Sequence, residues 1–369
     1  RPPPISTLFP YTTLFRSSHD GLAMMIALAG PQRLRLPLAY AAIGACTALA
    51  FILALGMGAV ALSPIQVVGG LLGMAAGHEA DPAQIIVGLR LTRAFLAAAV
   101  GASLATAGAV LQGLFRNPLA DPYVIGSSSG AALGAVVAMT LGFQAGQFGF
   151  SPIGWAAFSG GLGATFIVYL VAGTSHIRSD AASLLLAGTA LSSLFSACVS
   201  VILALRDKDL HQAWFWLLGG FSGRGMPELY AAAPAMVLGF FAALASARVL
   251  DVLAAGDEES RSLGLSPSKA RLVVGVFAAL SVSASVAVAG AIGFVGLVSP
   301  HLARRFIGPS HRHLIPAAAL TGAAMLLLAD AVSRTVFAPV EMPVGAITAL
   351  IGAPFFLYKI ARRGLEGTR

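Results

Sequence analysis

The side chains best placed for binding chemistry are three arginines near the ends of long apolar runs. Arg93 follows Arg90 by three positions, and Arg334 follows Asp330 by four. Because positions i and i+3 share a helix face, Arg90 and Arg93 could present paired positive charges to carboxylates of another protein. The spacing of Asp330 and Arg334 predicts a local ion pair. Taken singly, each arginine is also explained as an anchor at a membrane interface.

Patterns typical of catalysis or metal binding are missing from the sequence. The two cysteines, Cys46 and Cys198, have no neighbouring ligand-type residues, so neither a zinc site nor a disulfide framework is predicted. No G-x-x-x-x-G-K-[ST] stretch exists to hold nucleotide phosphates, and the glycine- and serine-rich run 126–130 lacks the lysine of such a loop. We therefore expect no catalytic residue, metal or cofactor, and any energy from ATP must come from another chain.

The composition is that of a membrane protein with many helices. Of the 369 residues, 57% are hydrophobic and 10% are charged, with a mean hydropathy of +0.84, whereas a soluble domain carries about a quarter charged residues. The run between Arg93 and Arg116 has no charge and covers the roughly 20 residues that a helix needs to cross hydrocarbon. The 42 glycines favour close helix contacts. The sequence thus predicts an all-α polytopic membrane protein.

Charged residues and prolines divide the chain into about ten predicted crossings. They cover residues 37–62, 94–112, 123–141, 153–172, 181–205, 229–247, 314–332 and 342–358, and a run 271–304 that its glycines split into a full helix and a shorter one ending near His301. An even number places both termini on the same side. Six of the 23 lysines and arginines then lie in loops of the other side, so both termini are predicted to be cytoplasmic.

The first 23 residues do not fit this pattern. They have neither the basic start nor the uninterrupted apolar core of a secretory signal. We expect residues 1–23 to be a non-native or disordered extension, with the native start near Met24 or Met25. Residues 24–369 are expected to form a single transmembrane domain.

A short polar segment on the predicted cytoplasmic side, residues 256–266, has the pattern of an isolated, capped helix. Asp257, Glu258 and Glu259 occupy its first turn, where acidic residues suit the helix dipole, and Gly264 followed by Pro267 ends it. The spacing alone fits a solvated connector as well as a helix that binds a partner.

Several motifs in a fixed order resemble the FecCD-type permeases of ABC importers, which include vitamin B12, haem and ferric-siderophore permeases. The resemblance covers nearly everything from about residue 38 to 363. The matching segments are RLTR at 90–93, GAVLQGLFRNPLADPYVIGSSSGA at 108–131, WLLGGFSG at 216–223, SRSLGLS at 260–266, GAIGFVGLVSPHLARRFIG at 290–308, LLLADAVSR at 326–334 and EMPVGAITALIGAPFFLY at 341–358.

The resemblance implies a type II ABC importer permease fold in the bacterial inner membrane. It implies a homodimer of ten-helix subunits that moves its cargo by alternating access, with a cytoplasmic ABC ATPase dimer and a periplasmic or lipid-anchored substrate-binding protein as partners. No nucleic acid is expected to bind.

The resemblance also assigns roles to residues. Those implied to contact the ATPase, in a coupling helix at about 256–266, are Gly256, Glu258, Ser260, Arg261, Leu263, Gly264 and Leu265. Those implied to dock the binding protein are Arg90, Arg93 and Arg334. A structural motif is formed by Asn117, Pro118, Asp121 and Pro122.

Three functions fit these features to different degrees. The first is import of a ferric siderophore, haem or related iron chelate, and the second is import of cobalamin, because the permeases of these cargoes share the motifs. The third is an ion-coupled secondary transporter, which usually places ionisable groups in mid-membrane. The runs 94–115, 122–177, 181–205 and 272–303 contain no Asp, Glu, Lys or Arg, which argues against it.

Overall fold

The protein is a bundle of α-helices throughout the part of the chain that the structure, a computed structural model, describes. The described residues are 18–76, 81–143, 151–174, 181–206 and 210–366, and none of them forms a β-strand. The chain divides into two compact units, Arg1–Ala42 and Ile43–Arg369, and the second contains the bundle. The extension predicted for residues 1–23 lies largely outside the described residues.

Fourteen α-helices and one short 3₁₀ turn account for most of the described chain. The helices are α1 (Ser18–Gly56), α2 (Pro64–Ala76), α3 (Pro82–Leu114), α4 (Ser127–Thr140), α5 (Pro152–Thr174), α6 (Ala181–Leu205), α7 (Leu210–Leu218), α8 (Met226–Ala245), α9 (Ala247–Ala255), α10 (Asp257–Ser262), α11 (Pro267–Ala289), α12 (Val295–Ile307), α13 (His311–Ser333) and α14 (Val344–Glu366), and the 3₁₀ turn is Pro122–Ile125.

The helices match the predicted crossings closely. Seven of them, in α1, α3, α5, α6, α8, α11 and α13, are long and apolar enough to cross a membrane. The other three predicted crossings correspond to α4, α12 and α14, whose apolar parts are shorter than a full span. The predicted break after α11 is confirmed at Gly290, but α12 continues beyond His301 to Ile307. It does so because Arg304 and Arg305 in its last turn suit the helix dipole, and Gly308 ends it.

Three helices form the core, and the others surround them. The most apolar 18-residue stretch of α3 is 78% buried, and those of α11 and α13 are 72% and 67% buried. The corresponding stretches of α1 and α6 are only 17% and 11% buried. Helix α3 packs against α13, α11, α12 and α8, so it is the central element of the bundle. Because α1 and α6 leave their apolar faces uncovered, these faces are available to lipid or to another subunit.

Glycines allow the core helices to touch backbone to backbone. A side-chain carbon added at Gly101 of α3 would collide with the carbonyl of Gly322 in α13, and one at Gly108 would collide with that of Gly296 in α12. Lipid gives no hydrophobic force between helices, so membrane helices associate through close packing, which small residues permit. The glycine-rich composition is therefore used where α3 meets its neighbours.

We predict that Gly322→Ala lowers the stability of the bundle by about 1–3 kcal/mol, the usual cost of overpacking. The matched control is Gly163→Ala in α5, where an added carbon meets nothing within 4 Å. That change should be neutral or slightly stabilising, because alanine is the better helix former. Thermal unfolding of both variants in the same detergent compares them, and equal midpoints would contradict the packing argument.

Candidate partner-docking sites

Two of the three predicted docking arginines hold the end of α1. The Nη1 atom of Arg90 donates to the carbonyls of Leu55 and Gly56 at 2.9 and 3.0 Å. Arg334, which caps α13, donates through Nη2 to Ala54 and through Nη1 to Met57, both at 2.9 Å. The last carbonyls of a helix have no partner within the helix and carry its negative dipole end, so two guanidinium groups satisfy them.

An ion network joins the same arginines to Arg93. Asp330 is 1% exposed and accepts from Arg93 Nε at 2.8 Å and from Arg334 Nε at 3.0 Å. The predicted pair of Asp330 and Arg334 is thus confirmed. Arg93 Nη1 also donates to both carboxylate oxygens of Glu341, at 3.1 and 2.9 Å, and the Ser222 hydroxyl donates to Glu341 as well. The network therefore links α3 and α13 to the segments before α8 and α14.

The electrostatic state of Glu341 follows from these contacts. Partial burial disfavours its charge, but Ser222 and Arg93 more than compensate and hold the pKa of Glu341 below its ordinary value. A lowered pKa contributes stability above the ordinary pKa and loses it as the pH falls through the folded-state value. The carboxylate consequently stays ionised at neutral pH.

The sequence suggested that Arg90 and Arg93 present accessible positive charges, but in the structure these arginines are paired with groups of the protein itself. Arg90 and Arg334 are 8% and 6% exposed, and the geometric expectation of paired, accessible charges on one face is wrong for Arg90. Its donors are occupied by carbonyls. All three arginines nevertheless line one pocket of about 300 Å³, together with Glu341. We call this end of the bundle the arginine end, and the role of the three residues in docking stays a prediction.

The predicted structural motif forms the turn at the other end of α3. Arg116 has a φ of +51°, which ends the helix, and the amide of Asn117 donates back to Gln112 at 3.0 Å. The Asn117 side chain accepts from Leu119, and Asp121 caps the 3₁₀ turn by accepting from Tyr123 at 2.8 Å.

This turn reaches the break between α11 and α12. The Tyr123 hydroxyl donates to the carbonyl of Ile292 at 2.9 Å, and Pro122 packs against Gly296, where an added side chain would collide with its ring. Pro118 lies partly exposed in the turn. The motif thus fixes how α3 meets α12.

The predicted coupling segment contains a helix of one and a half turns, α10, with a buried and an exposed part. Gly256, with a φ of +141°, and the fully buried Ser260 are structural, since the Ser260 hydroxyl donates to the carbonyls of Val252 and Gly256. The exposed part consists of Glu258, Arg261, Leu263 and Gly264, while Leu265 is half-buried. Leu263 is 70% exposed.

Asp257 connects this segment to the bundle. Its Oδ1 atom accepts from Arg116 at the end of α3, at 2.7 Å, and from Arg271 in α11, at 2.6 Å. Partial burial opposes the charge of Asp257, but Arg271, Arg116 and Arg261 outweigh it and lower the pKa. Helix α3 is 33 residues long, or about 50 Å, so this end lies far from the arginine end.

Sequence reasoning missed the partners of most of these residues. The pairing of Arg93 with Glu341 spans 248 positions, and backbone carbonyls as partners of Arg90 carry no residue signature. The partners of Asp257 are distant in sequence as well, since Arg116 and Arg271 lie 141 and 14 positions away. Among the residues described, no group of three His, Cys, Asp or Glu side chains could hold a metal ion.

Comparisons with known proteins agree on one family. The profile of the FecCD transport family matches residues 46–362. The chain is 46% identical to the cobalamin import system permease protein BtuC of Halobacterium salinarum, over 77% of this chain and 75% of that one. It is 42% identical to the hemin transport system permease protein HmuU of Yersinia pestis, over 76% and 84%.

A solved structure is also similar. It is described as an inward-facing conformation of an ABC transporter of the metal-chelate type, and it matches with a TM-score of 0.74 and 31% sequence identity. The match covers 88% of this chain and 99% of the other.

We predict that Asp330→Asn destabilises the bundle by about 3–5 kcal/mol, because the buried Arg334 would lose its counter-ion and Arg93 would keep only Glu341. Glu341→Gln is the matched control. The Glu341 side chain is 40% exposed, so this change should cost less than about 1 kcal/mol. Unfolding midpoints in detergent measure both. Similar losses in the two variants would show that Asp330 is not the centre of the network.

Proposed function

This chain belongs to the FecCD transport family and is a membrane permease of the ABC importer class, and we propose that it carries a ferric siderophore, haem or related iron chelate inward by alternating access. The observation that carries the proposal is the family match across residues 46–362, nearly the whole bundle. Cobalamin is the second candidate cargo, because a permease for it is among the similar proteins. Multi-pass insertion in the bacterial inner membrane, with both termini cytoplasmic, completes the proposal.

The energy for transport is proposed to come from a separate ABC ATPase dimer that binds α10. The exposed Leu263 supports this role, since its side chain is available for burial in a pocket of a partner, which would contribute about 1.5–3 kcal/mol. Asp257 supports it too, because ion pairs to Arg116 and Arg271 connect α10 to α3 and α11. Movement of α10 would thus pass directly to the two best-buried helices of the bundle. The functional permease is proposed to be a homodimer.

Docking of a substrate-binding protein is proposed at the arginine end. The pocket of about 300 Å³ lined by Arg90, Arg93, Arg334 and Glu341 has an excess of positive charge, which suits a carboxylate of that protein. Arg93 differs from the other two arginines because it pairs with a partly exposed carboxylate, that of Glu341. We therefore assign the direct contact to Arg93, whereas Arg90 and Arg334 shape the pocket and supply background charge.

Reconstitution in proteoliposomes tests the proposed function. The permease is combined with an ABC ATPase and a substrate-binding protein from the same genome, and uptake of ferric citrate, haem and cyanocobalamin is followed. Uptake of an iron chelate or haem that requires ATP and both partners is the expected result. Uptake of cyanocobalamin alone would transfer the assignment to cobalamin, and uptake driven by a proton or sodium gradient without ATP would refute the importer assignment.

In the same vesicles, Leu263→Asp should reduce ATP-driven uptake at least about tenfold, because a charge replaces the apolar side chain that the proposed ATPase contact would bury. The control is Lys269→Ala, an exposed residue just beyond the segment that should leave uptake unchanged. ATPase stimulation by the loaded binding protein is measured in parallel. Normal stimulation in the Leu263 variant would exclude α10 as the coupling helix.

Arg93→Gln should weaken binding of the substrate-binding protein about tenfold at low ionic strength, and the difference should shrink as salt screens the charges. Arg206→Gln, on an exposed arginine of the same predicted side, serves as the matched control. Affinity for the ATPase, measured on the same samples, verifies the fold. An Arg93 variant that binds with wild-type affinity would remove this residue from the docking site.

A further inference from the structure

Arg224, in the loop between α7 and α8, differs from the other arginines of the arginine end. It is half-buried, yet within the described part of the chain its guanidinium makes no hydrogen bond and no ion pair. The nearest acidic influence is Glu228, whose carboxylate accepts from the amide of Gly225 at 2.8 Å. Burial lowers the pKa of Arg224, and Glu228 offsets part of that effect. Among the described residues, this partly desolvated cation has no contacting counter-ion.

The side chain of Arg224 lines a second pocket at the arginine end, which we call the Arg224 pocket. Its volume is about 270 Å³, and its polar lining includes Arg93, Gln212, Ser222, Arg224 and Glu341. Its apolar wall includes Trp216 and Phe215 of α7. A cavity with an apolar wall and a few convergent polar groups has the general make-up of a ligand site.

The charges of the lining favour an anion. Glu341 is paired with Arg93 and accepts a hydrogen bond from Ser222, so Arg224 is the lining arginine whose charge contacts no described carboxylate. One guanidinium without a contacting carboxylate among the described residues matches a single carboxylate of a ligand. A doubly charged phosphate would meet the nearby Glu341 with greater repulsion. Arginine binds a carboxylate through two parallel hydrogen bonds, and the Gln212 amide offers a further donor.

The size of the pocket limits what it can hold. Sites that enclose a whole drug-sized ligand measure about 300–1,000 Å³. The Arg224 pocket, at about 270 Å³, therefore suits one acidic arm of a larger molecule rather than a complete iron chelate. Citrate arms and the propionates of haem are acidic arms of this kind, whereas cyanocobalamin has no free carboxylate.

We propose that the Arg224 pocket binds a carboxylate of the cargo at the arginine end and so favours acidic chelates over neutral ones. This inference rests on the proposed function, because it takes the ligand to be the transported molecule. It narrows the substrate class to carboxylate-bearing chelates and haem.

Direct binding of a probe tests the pocket without transport. The purified full-length chain in lipid nanodiscs is titrated with citrate and with ferric citrate, and tryptophan fluorescence is followed, since Trp216 lines the pocket. Arg224→Gln should weaken binding about tenfold, the scale of a lost charge-assisted hydrogen bond, and Arg224→Lys should recover part of the affinity. Arg206→Gln should bind like the wild type. Equal affinity in the Arg224→Gln and wild-type proteins would overturn the proposal, as would no binding by the wild type.

Uptake and docking measurements identify the source of the carboxylate. In the reconstituted importer, Arg224→Gln should raise the half-saturating concentration of ferric citrate or haem, and leave affinity for the binding protein unchanged. A parallel loss of binding-protein affinity would assign the pocket to docking and overturn the cargo assignment. Failure of the wild-type importer to transport any chelate would count against the proposed function alone, because the nanodisc titration requires neither ATP nor a partner.

Discussion

The arginine end depends on the guanidinium groups that bind the last carbonyls of α1. Arg90 and Arg334 come from α3 and α13, and together they take the carbonyls of residues 54–57. The dipole end of α1 offers partial negative charge, so the buried cations are stabilised without a full set of carboxylates. Asp330 supplies the remaining counter-charge to Arg334 and Arg93. Asp330 fixes the position of Arg93, and Arg93 in turn binds Glu341, which accepts from Ser222. Both pockets are lined by Arg93 and Glu341, so their shape depends on the same contacts.

Helix α3 connects this end to the opposite one. It carries Arg90 and Arg93 near its start, and its closing turn places Arg116 on Asp257 of α10. Between the two ends, Gly101 and Gly108 bring the backbone of α3 into direct contact with α13 and α12, where no larger side chain would fit. A helix packed this closely moves as a rigid body, because interiors are bistable rather than continuously deformable. Under the proposed mechanism, a displacement of α10 would therefore reach the arginine end through α3 itself.

The positions of the helices could be predicted from the sequence, whereas the side-chain contacts of the sites could be predicted only in part. Charge-free runs of span length and glycine breaks located nearly every helix, since a charge in hydrocarbon is costly at any position. The pair of Asp330 and Arg334 was predictable because it lies within one helix. The pairing of Arg93 with Glu341 depends on how α3 packs near the start of α14, which local spacing does not encode. That Arg224 contacts no carboxylate of the described residues was not predictable for the same reason, since it depends on how the helices pack.

The two acidic partners of Arg93 differ in a way that bears on docking. Asp330 is 1% exposed, so displacing it would leave a buried charge without a partner, at a cost of several kcal/mol. Glu341 is 40% exposed and can return to water when another carboxylate takes its place on Arg93. Exchange at Glu341 therefore costs less than exchange at Asp330, because the displaced carboxylate regains its hydration. It would also release Ser222, which lines the Arg224 pocket. Docking at Arg93 and the opening of that pocket would then be parts of one event.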